Sequence, residues 1–357
     1  MKNPHYDATR RHHRPDGFQN TYLPFERKGL RELLRWRWQA WRQQLPRPPQ
    51  QPIAVVAPDL GFIAANAAAG LAMQPAVTWI GHITTLVQFG GWNLLTDPVF
   101  SERCSPVQWA GPRRHTPPGL ALEALPRIDV VLLSHNHYDH MDEASLRALA
   151  RQPGGAPQVI APLGHRTLLR RWGLHDVVEL DWWQHHTLAA DARHTSAEIT
   201  LTPAQHWSSR GWNDAMRSLW GSFVVLSPDC HFFFSGDTGY SQDFRDIRRH
   251  FAHHQAGGGF DLAPLPIGAY EPRWFMRGQH ANPDEAVQMF EDLHVQRAVA
   301  VHWGTFQLTD ESLDEPPRAL ARALHRHGIA PERFRALAIG ETMTVPRRGD
   351  HSVPPTR

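Results

Sequence analysis

The sequence predicts an α/β protein, on three observations. The apolar run Val130-Val131-Leu132-Leu133 has the length of a buried strand. After a polar bend it is followed by a helical start, Asp142-Glu143, with Ala144, Leu146, Ala148 and Leu149 behind it. Upstream, residues 77–80, 85–89 and 92–96 are short β-type runs broken by Gly81-His82 and Gly90-Gly91, the pattern of an antiparallel meander. Downstream, strand-like and helix-like runs alternate, and polar residues gather at the strand ends, where α/β architectures place their chemistry.

Taken in order, residues 1–26 are polar, carry Pro4, Pro15 and Pro24, and read as an extended arm. From residue 29 to 45, Leu30, Leu33, Leu34, Trp38, Trp41 and Leu45 recur at three- and four-residue steps, which predicts a helix with Arg31, Arg35 and Arg42 projecting elsewhere. Its Leu/Trp face either lies in a membrane interface or docks on the rest of the chain. A Pro/Gln linker over 46–52 ends the helix. The organisation expected is a basic N-terminal arm over 1–52, an apolar connecting segment over 53–75, a catalytic domain over 76–346 and a loose tail over 347–357. The meander closes in Thr96-Asp97-Pro98. Asp97 there either holds a ligand histidine by its free ring N–H or makes an Asp-Pro turn. Residues 101–127, rich in Pro and Arg, read as loop.

Beyond residue 142, strands are expected over 158–161 and 177–180 with a helix over 166–172 between them. His185, His186 and His194 lie in a polar connection and read as solvent-exposed. A strand over 199–203 ends at His206. Paired strands over 219–226 and 230–235 end in Gly236-Asp237-Thr238-Gly239. Strands over 262–267 and 298–301 follow, the second ending at His302-Trp303-Gly304. Asn282 caps a helix that has Pro283 at its first position. A helix over 317–327 precedes a short strand at 337–339. The alternation of meander and strand–helix units fits two similar halves, although no repeat is visible by inspection.

Composition narrows the classes. Apolar content of 41% and charged content of 20% describe an ordinary globular chain of 357 residues, long enough to bury a large core. The net charge of +2 makes no case for nucleic acid. Residues 1–50 hold eleven Lys/Arg against four Asp/Glu, leaving the remainder net acidic, without a basic stripe for a phosphate backbone. Cys104 and Cys230 suggest no disulfide framework and fit a reducing compartment. The first twenty residues lack the apolar centre of a secretory signal. The apolar stretch 60–73 is shorter than the ~20 residues a bilayer span needs. A cytoplasmic protein is expected, with peripheral membrane association left open.

The chemistry concentrates in Ser134-His135-Asn136-His137-Tyr138-Asp139-His140. His135 and His137, two apart, can close on one ion, while Asp139 and His140 lie past the bend and can reach a second. Imidazole and carboxylate without thiolate suit zinc, and also iron or manganese. Collecting the later strand ends gives His135, His137 and His206 for one ion and Asp139, His140 and His302 for the other, with Asp237 between them, where the alternative for Asp237 is a structural turn. Two ions about 3.5–4 Å apart would activate a water and stabilise both oxygens of a displacement, so no Ser, Cys or Lys nucleophile is needed. His280, just before a helix N-terminus, either donates a proton to a phosphoryl or leaving group or decorates the helix start.

The order HxHxDH, followed by His206, Asp237 and His302, resembles the ligand series of the metallo-β-lactamase fold superfamily. Further stretches resemble one branch of it, the N-acyl-phosphatidylethanolamine-hydrolysing phospholipase D family. These are Thr78-Trp79-Ile80-Gly81-His82, Leu95-Thr96-Asp97-Pro98, Ala204-Gln205-His206-Trp207, Phe234-Ser235-Gly236-Asp237-Thr238-Gly239, Gly268-Ala269-Tyr270-Glu271-Pro272-Arg273-Trp274-Phe275-Met276 and His302-Trp303-Gly304-Thr305-Phe306. The similarity covers roughly 76–345 and implies a four-layer αβ/βα sandwich, two zinc ions and release of N-acylethanolamine and phosphatidate from a phospholipid. It also implies that His280 acts near the phosphate, alongside Asp139 and Asp237; Arg273 and Trp274 are candidates for the substrate entrance. The partners expected are a phospholipid and a membrane surface met through residues 30–45; a homodimer is left open. The alternatives are a phosphodiesterase or lactonase of the same fold acting on a small soluble substrate and, more remotely, a metal-binding protein without catalysis.

Overall fold

Two seven-stranded sheets carry the chain in a computed structural model that describes residues 2–26, 28–255 and 259–348. Of the expected tail, residues 349–357 lie outside the described residues. The N-terminal region holds a small hairpin, β1 (His13–Arg14) and β2 (Gly17–Phe18), then helices α1 (Leu30–Gln43) and α2 (Leu60–Ala68). The first sheet follows with β3 (Ala76–Gly81), β4 (Thr84–Phe89), β5 (Trp92–Thr96), β6 (Val130–Leu132), α3 (Glu143–Leu149), β7 (Gln158–Pro162), α4 (Arg166–Arg171) and β8 (Val177–Leu180). The second comprises β9 (His185–Leu188), β10 (Ala197–Thr202), β11 (Ser222–Leu226), β12 (His231–Phe234), α5 (Asp243–Phe251), β13 (Leu262–Pro266), α6 (Arg273–Met276), α7 (Pro283–Asp292), β14 (Arg297–Val301), α8 (Glu315–His327) and β15 (Phe334–Arg335). Finally β16 (Thr342–Thr344) returns to pair with β3.

The strand orders are β16-β3-β4-β5-β6-β7-β8 and β9-β10-β11-β12-β13-β14-β15. In each, the first three pairings are antiparallel. The last three are parallel. Position by position the two sheets therefore match, β3 with β10, β5 with β12 and β6 with β13.

Strand periodicity explains the layers, because successive side chains point to opposite faces. Val130 and Leu132 join the large core cluster that also holds Ile199, Leu201, Phe223 and Val225 of the second sheet. Their neighbours Val131 and Leu133 pack with Leu146, Leu149 and Leu169 from α3 and α4. Phe244, Ile247, Val287, Phe290, Leu320 and Leu324 of α5, α7 and α8 join the large core cluster with the second sheet. Each fully buried Phe, Leu or Ile of this kind contributes about 1.5–3 kcal/mol. Helix α7 starts as its sequence dictates. Asn282 accepts the Glu285 N–H, Glu285 accepts the Asn282 N–H, and Pro283 holds the first position.

Several expectations need correction. Residues 2–26 do not run as an extended arm. They pack on the body of the molecule, with Phe18 buried and His12 and His13 both on the buried carboxylate of Asp181, which directly follows β8. The connection at 185–188 is an edge strand. His186 bonds Gln158, and His194 is half-buried, stacked on Trp92, so only His185 is well exposed. The closing strand lies at β15 and β16 rather than at 337–339, where Ile339 makes a single bridge to Val55. Helices α2, α5 and α6 had no counterpart in the sequence reading. Among the described residues, no helix is long and apolar enough to cross a membrane.

Candidate metal centre

The polar cluster forms where the loops leaving several strands converge. The loop after β6 brings His135, His137, Asp139 and His140; His206 follows β10, Asp237 follows β12, and His302 directly follows β14. Gly236 lets the Asp237 loop come close. Its φ is +57°, and a Cβ there would lie 2.4 Å from the Ser134 Cβ. His302 and Asp97 also have positive φ, 63° and 31°, conformations that non-glycine residues hold only when the surroundings impose them.

The donor atoms fall into two groups. His135 Nε2 lies 2.7 Å from His137 Nδ1, and His206 Nε2 lies 3.3 Å from the same atom. Asp139 Oδ2 lies 3.5 Å from His140 Nε2 and 3.3 Å from His302 Nε2. Asp237 joins the groups. Its Oδ2 is 3.0 Å from His140 Nε2, 3.7 Å from His206 Nε2 and 4.0 Å from His135 Nε2, while its Oδ1 is 3.1 Å from His302 Nε2. Ligands about 2.0–2.1 Å from a tetrahedral ion stand roughly 3.3 Å apart, and these separations scatter around that value.

Outer contacts fix which ring nitrogen faces inward. Asp97, wholly buried, accepts the Ser134 N–H at 2.7 Å, the Ser134 hydroxyl at 2.5 Å and His140 Nδ1–H at 2.7 Å. Since Ser134 Oγ gives its proton to Asp97, it accepts from His135 Nδ1–H at 2.9 Å. His206 Nδ1–H donates to the Gln279 carbonyl at 2.9 Å. In all three rings the inner Nε2 is left with its lone pair, the state a metal ligand requires.

The electrostatics divide the rings, and without a cation the carboxylates draw protons instead. Burial pushes His135 and His280 well below the ordinary imidazole value, His137 and His82 to about 3, and His206 to about 4. Burial also opposes charge on His140 and His302, yet Asp237 and Asp139 lift His140 well above the ordinary value and His302 to about 9. Two carboxylates thus face imidazoles in a dry site, where a cation is the natural counter-charge. The buried polar atoms without a hydrogen-bond partner include His137 Nε2, His140 Nε2, Asp237 Oδ1, His280 Nδ1 and both ring nitrogens of His302. So many buried polar atoms without a partner at one point fit a pair of metal ions. No sulfur lies among them, and His/Asp donors suit zinc, iron and manganese alike.

His280 joins the cluster, with Nδ1 3.9 Å from Asp237 Oδ2 and its ring 5.3 Å from that of His206. It is held through its backbone: the His280 carbonyl accepts from Arg273 at 2.9 Å, and Arg273 is anchored in turn by Glu285. Thus all eight residues singled out from the sequence, and Asp97 behind them, come together. His82 was missed. It lies on the turn after β3 with Nε2 3.1 Å from Asp139 Oδ2, and its sequence signal was a histidine after a glycine at a strand end.

A cleft of about 940 Å³ adjoins the cluster. It is lined by Phe25, Trp207, Trp212 and Trp274 together with the cations Lys28, Arg273 and Arg277. Trp207 links the two, its ring 4.5 Å from that of His137 and stacked 5.0 Å from Phe25. The N-terminal region thereby forms one wall. Asn20 Oδ1 accepts the His206 N–H at 3.2 Å and Trp220 Nε1–H at 3.1 Å. Helix α1 sits against the other wall, with Trp36 beside Phe275 and bonded to Asp310, and Arg35 over Trp274. The Leu/Trp face of α1 is not what docks. Leu30, Trp38 and Trp41 are 71%, 53% and 76% exposed.

Comparison with known proteins follows the same lines. Residues 92–303 match the model of the beta-lactamase superfamily domain. The chain is 35% identical over 274 residues to a Caenorhabditis elegans protein named N-acyl-phosphatidylethanolamine-hydrolyzing phospholipase D 1, covering 74% of each. It is 38% identical over 308 residues to an uncharacterised protein of Mycobacterium tuberculosis, covering 85% of this chain and 76% of that one. Among solved structures, an isothiocyanate hydrolase from Delia radicum gut bacteria aligns over 76% of this chain and 99% of that one. With a TM-score of 0.58 and 20% identity, that match speaks to the fold alone.

Proposed function

This chain belongs to the N-acyl-phosphatidylethanolamine-hydrolysing phospholipase D family of the beta-lactamase superfamily, and from that premise we propose that it is a two-metal phosphodiesterase acting on an N-acylated phosphatidylethanolamine at a membrane surface. The observation that carries the reading is the pair of donor groups joined by Asp237, beside a cleft with aromatic and cationic walls. There, His135, His137 and His206 would hold one ion, and Asp139, His140 and His302 the other. When bound, such a pair supplies Lewis acidity and a water activated at neutral pH.

The residues of this chain account for the rest. Water adds to phosphorus, the bond from phosphorus to the ethanolamine oxygen breaks, and a proton must reach that oxygen. His280, half-buried beside Asp237 and bonded to nothing through Nδ1, is the group placed to relay it. Lys28, Arg210, Arg273 and Arg277 outnumber Glu26 and Glu285 in the lining, a cationic balance suited to a phosphodiester, and Phe25, Trp207 and Trp274 give it apolar surface for acyl chain. The exposed face of α1, beside the same cleft, supplies the apolar and basic surface by which a peripheral protein meets lipid.

The test is dizinc-loaded protein on vesicles containing N-acyl-phosphatidylethanolamine, following both products. The reading expects N-acylethanolamine and phosphatidate, and a loss of at least about 10³-fold in Asp237→Asn, which removes the carboxylate shared by the two donor groups. Vesicles left intact while a soluble phosphodiester or lactone is cleaved would replace the lipid substrate with a soluble one.

A further inference from the structure

We propose that His82 is a positioning residue for the ion held by Asp139, His140 and His302, an inference that rests on the two-ion reading above. His82 is buried on the turn between β3 and β4 and meets all three residues, the His140 ring edge-on at 5.8 Å and the other two more closely. Its Nε2 lies 3.1 Å from Asp139 Oδ2, and its carbonyl accepts the His302 N–H at 2.7 Å. Its own N–H donates to Thr305 Oγ1 at 2.7 Å, and its ring lies 4.2 Å from the His302 ring and edge-on to Phe306 at 5.1 Å. The residue has φ of +53°, a conformation that costs a histidine energy and is held by these contacts.

This geometry assigns a donor role. A carboxylate has about four acceptor positions, so Asp139 can take the His82 Nε2–H and still face an ion. Asp139 is only half-buried, and of the three imidazole nitrogens around its Oδ2 that of His82 is the nearest, the other two, on His140 and His302, belonging to proposed ligands. The matching of the two sheets supplies an independent reason. β3 occupies the place in its sheet that β10 occupies in the other, and the loop after β10 delivers His206. His82 is thus the first sheet's counterpart of a proposed metal ligand, directed at the centre from the opposite half, and its nearest polar neighbour there is a carboxylate oxygen.

The experiment uses the full chain as wild type, His82→Ala and His82→Gln, with His82→Leu as a volume-filling variant should the alanine protein fail to fold. Zinc per chain is counted by mass spectrometry, and the two stepwise affinities are read by competition with a chromophoric chelator. Melting without metal serves as the folding control. The expected result is two equivalents for wild type and a loss of about 10- to 100-fold in one affinity for the Ala or Leu variant, the other staying within about threefold. Gln, whose amide N–H₂ can donate to Asp139, should restore the weakened site. Unchanged affinities in both folded non-donor variants would overturn the proposal. So would a folded Gln variant as weak as Ala, which would make the imidazole a direct ligand. Wild-type protein that binds a single equivalent would instead refute the two-ion reading.

Discussion

Replacing Asp97 by asparagine tests how far the centre depends on groups that never touch an ion. Asp97 accepts three hydrogen bonds: two at Oδ2, from the Ser134 hydroxyl and His140 Nδ1–H, and one at Oδ1, from the Ser134 N–H. An asparagine has one oxygen to offer. If that oxygen faces the Ser134 N–H, the amide N–H₂ meets His140 Nδ1, which must then give up its proton. The proton moves to Nε2, the atom needed by the ion. If the amide is turned over, its N–H₂ opposes the Ser134 N–H instead. The first arrangement turns the wrong tautomer toward the ion, and the second sets two donors against each other in a site without access to solvent. The loss of one hydrogen bond to a charged group is worth about 1.5–3 kcal/mol, which corresponds to about 10- to 100-fold in affinity for the ion bound through His140. The second ion should weaken less, because His135 is reached only through the Ser134 hydroxyl. Chelator competition on dizinc Asp97→Asn reads both constants, and Ser134→Ala should weaken the His135 side preferentially. Two affinities equal to wild type in folded Asp97→Asn would refute the idea that this carboxylate sets the ring tautomers.

Two further outcomes follow from features away from the ions. Burial pushes the Asp243 carboxyl up to about 6, against hydrogen bonds from Ser241 and Thr21. The unfolded carboxyl titrates near ~3.9. Below that pH both states are protonated and nothing is lost. Between about 4 and 6 the unfolded state ionises first and stability falls, and above 6 the penalty levels off at up to about 3 kcal/mol. Asp243→Asn should therefore be close to neutral near pH 4 and stabilising above pH 6, as read by urea unfolding; a difference independent of pH would refute it. Trp38→Ala combined with Trp41→Ala removes the largest exposed apolar groups of α1. Each is worth on the order of 1 kcal/mol of partition, so binding to phospholipid vesicles in a flotation assay should drop about 10- to 30-fold with metal content unchanged.

The centre was more legible in the sequence than the parts around it, for physical reasons. Each of His135, His206, Asp237 and His302 follows an apolar run of strand length, so the loop position could be read from local pattern. Asp97 was visible for the same reason, at the end of β5, although its three donors were not. His82 stands at an equivalent strand end but was read as a break in the meander, because a Gly-His pair between two strands also fits a plain turn. The edge strand β9 escaped notice because it contributes one buried apolar side chain, Leu188, among three polar residues. The docking of residues 2–26 was invisible to periodicity, since it depends on the polar side chains of His12, His13 and Asn20 and on the buried ring of Phe18. Helix α1 was placed nearly to its ends, but which face would dock was not decidable. Its contacts run through Trp36 and Arg35, residues outside the Leu/Trp stripe.

The contact between Asn20 and the His206 backbone ties the first segment of the chain to the place where an ion would sit. Thermodynamic linkage makes such a tie reciprocal: whatever the docked segment adds to the hold on the ion, the ion adds to the hold on the segment. Any coupling between metal occupancy and the fastening of the N-terminus would then be felt equally at both. Proteolysis of residues 2–26 with and without metal would measure that coupling at the segment that walls the cleft with Phe25.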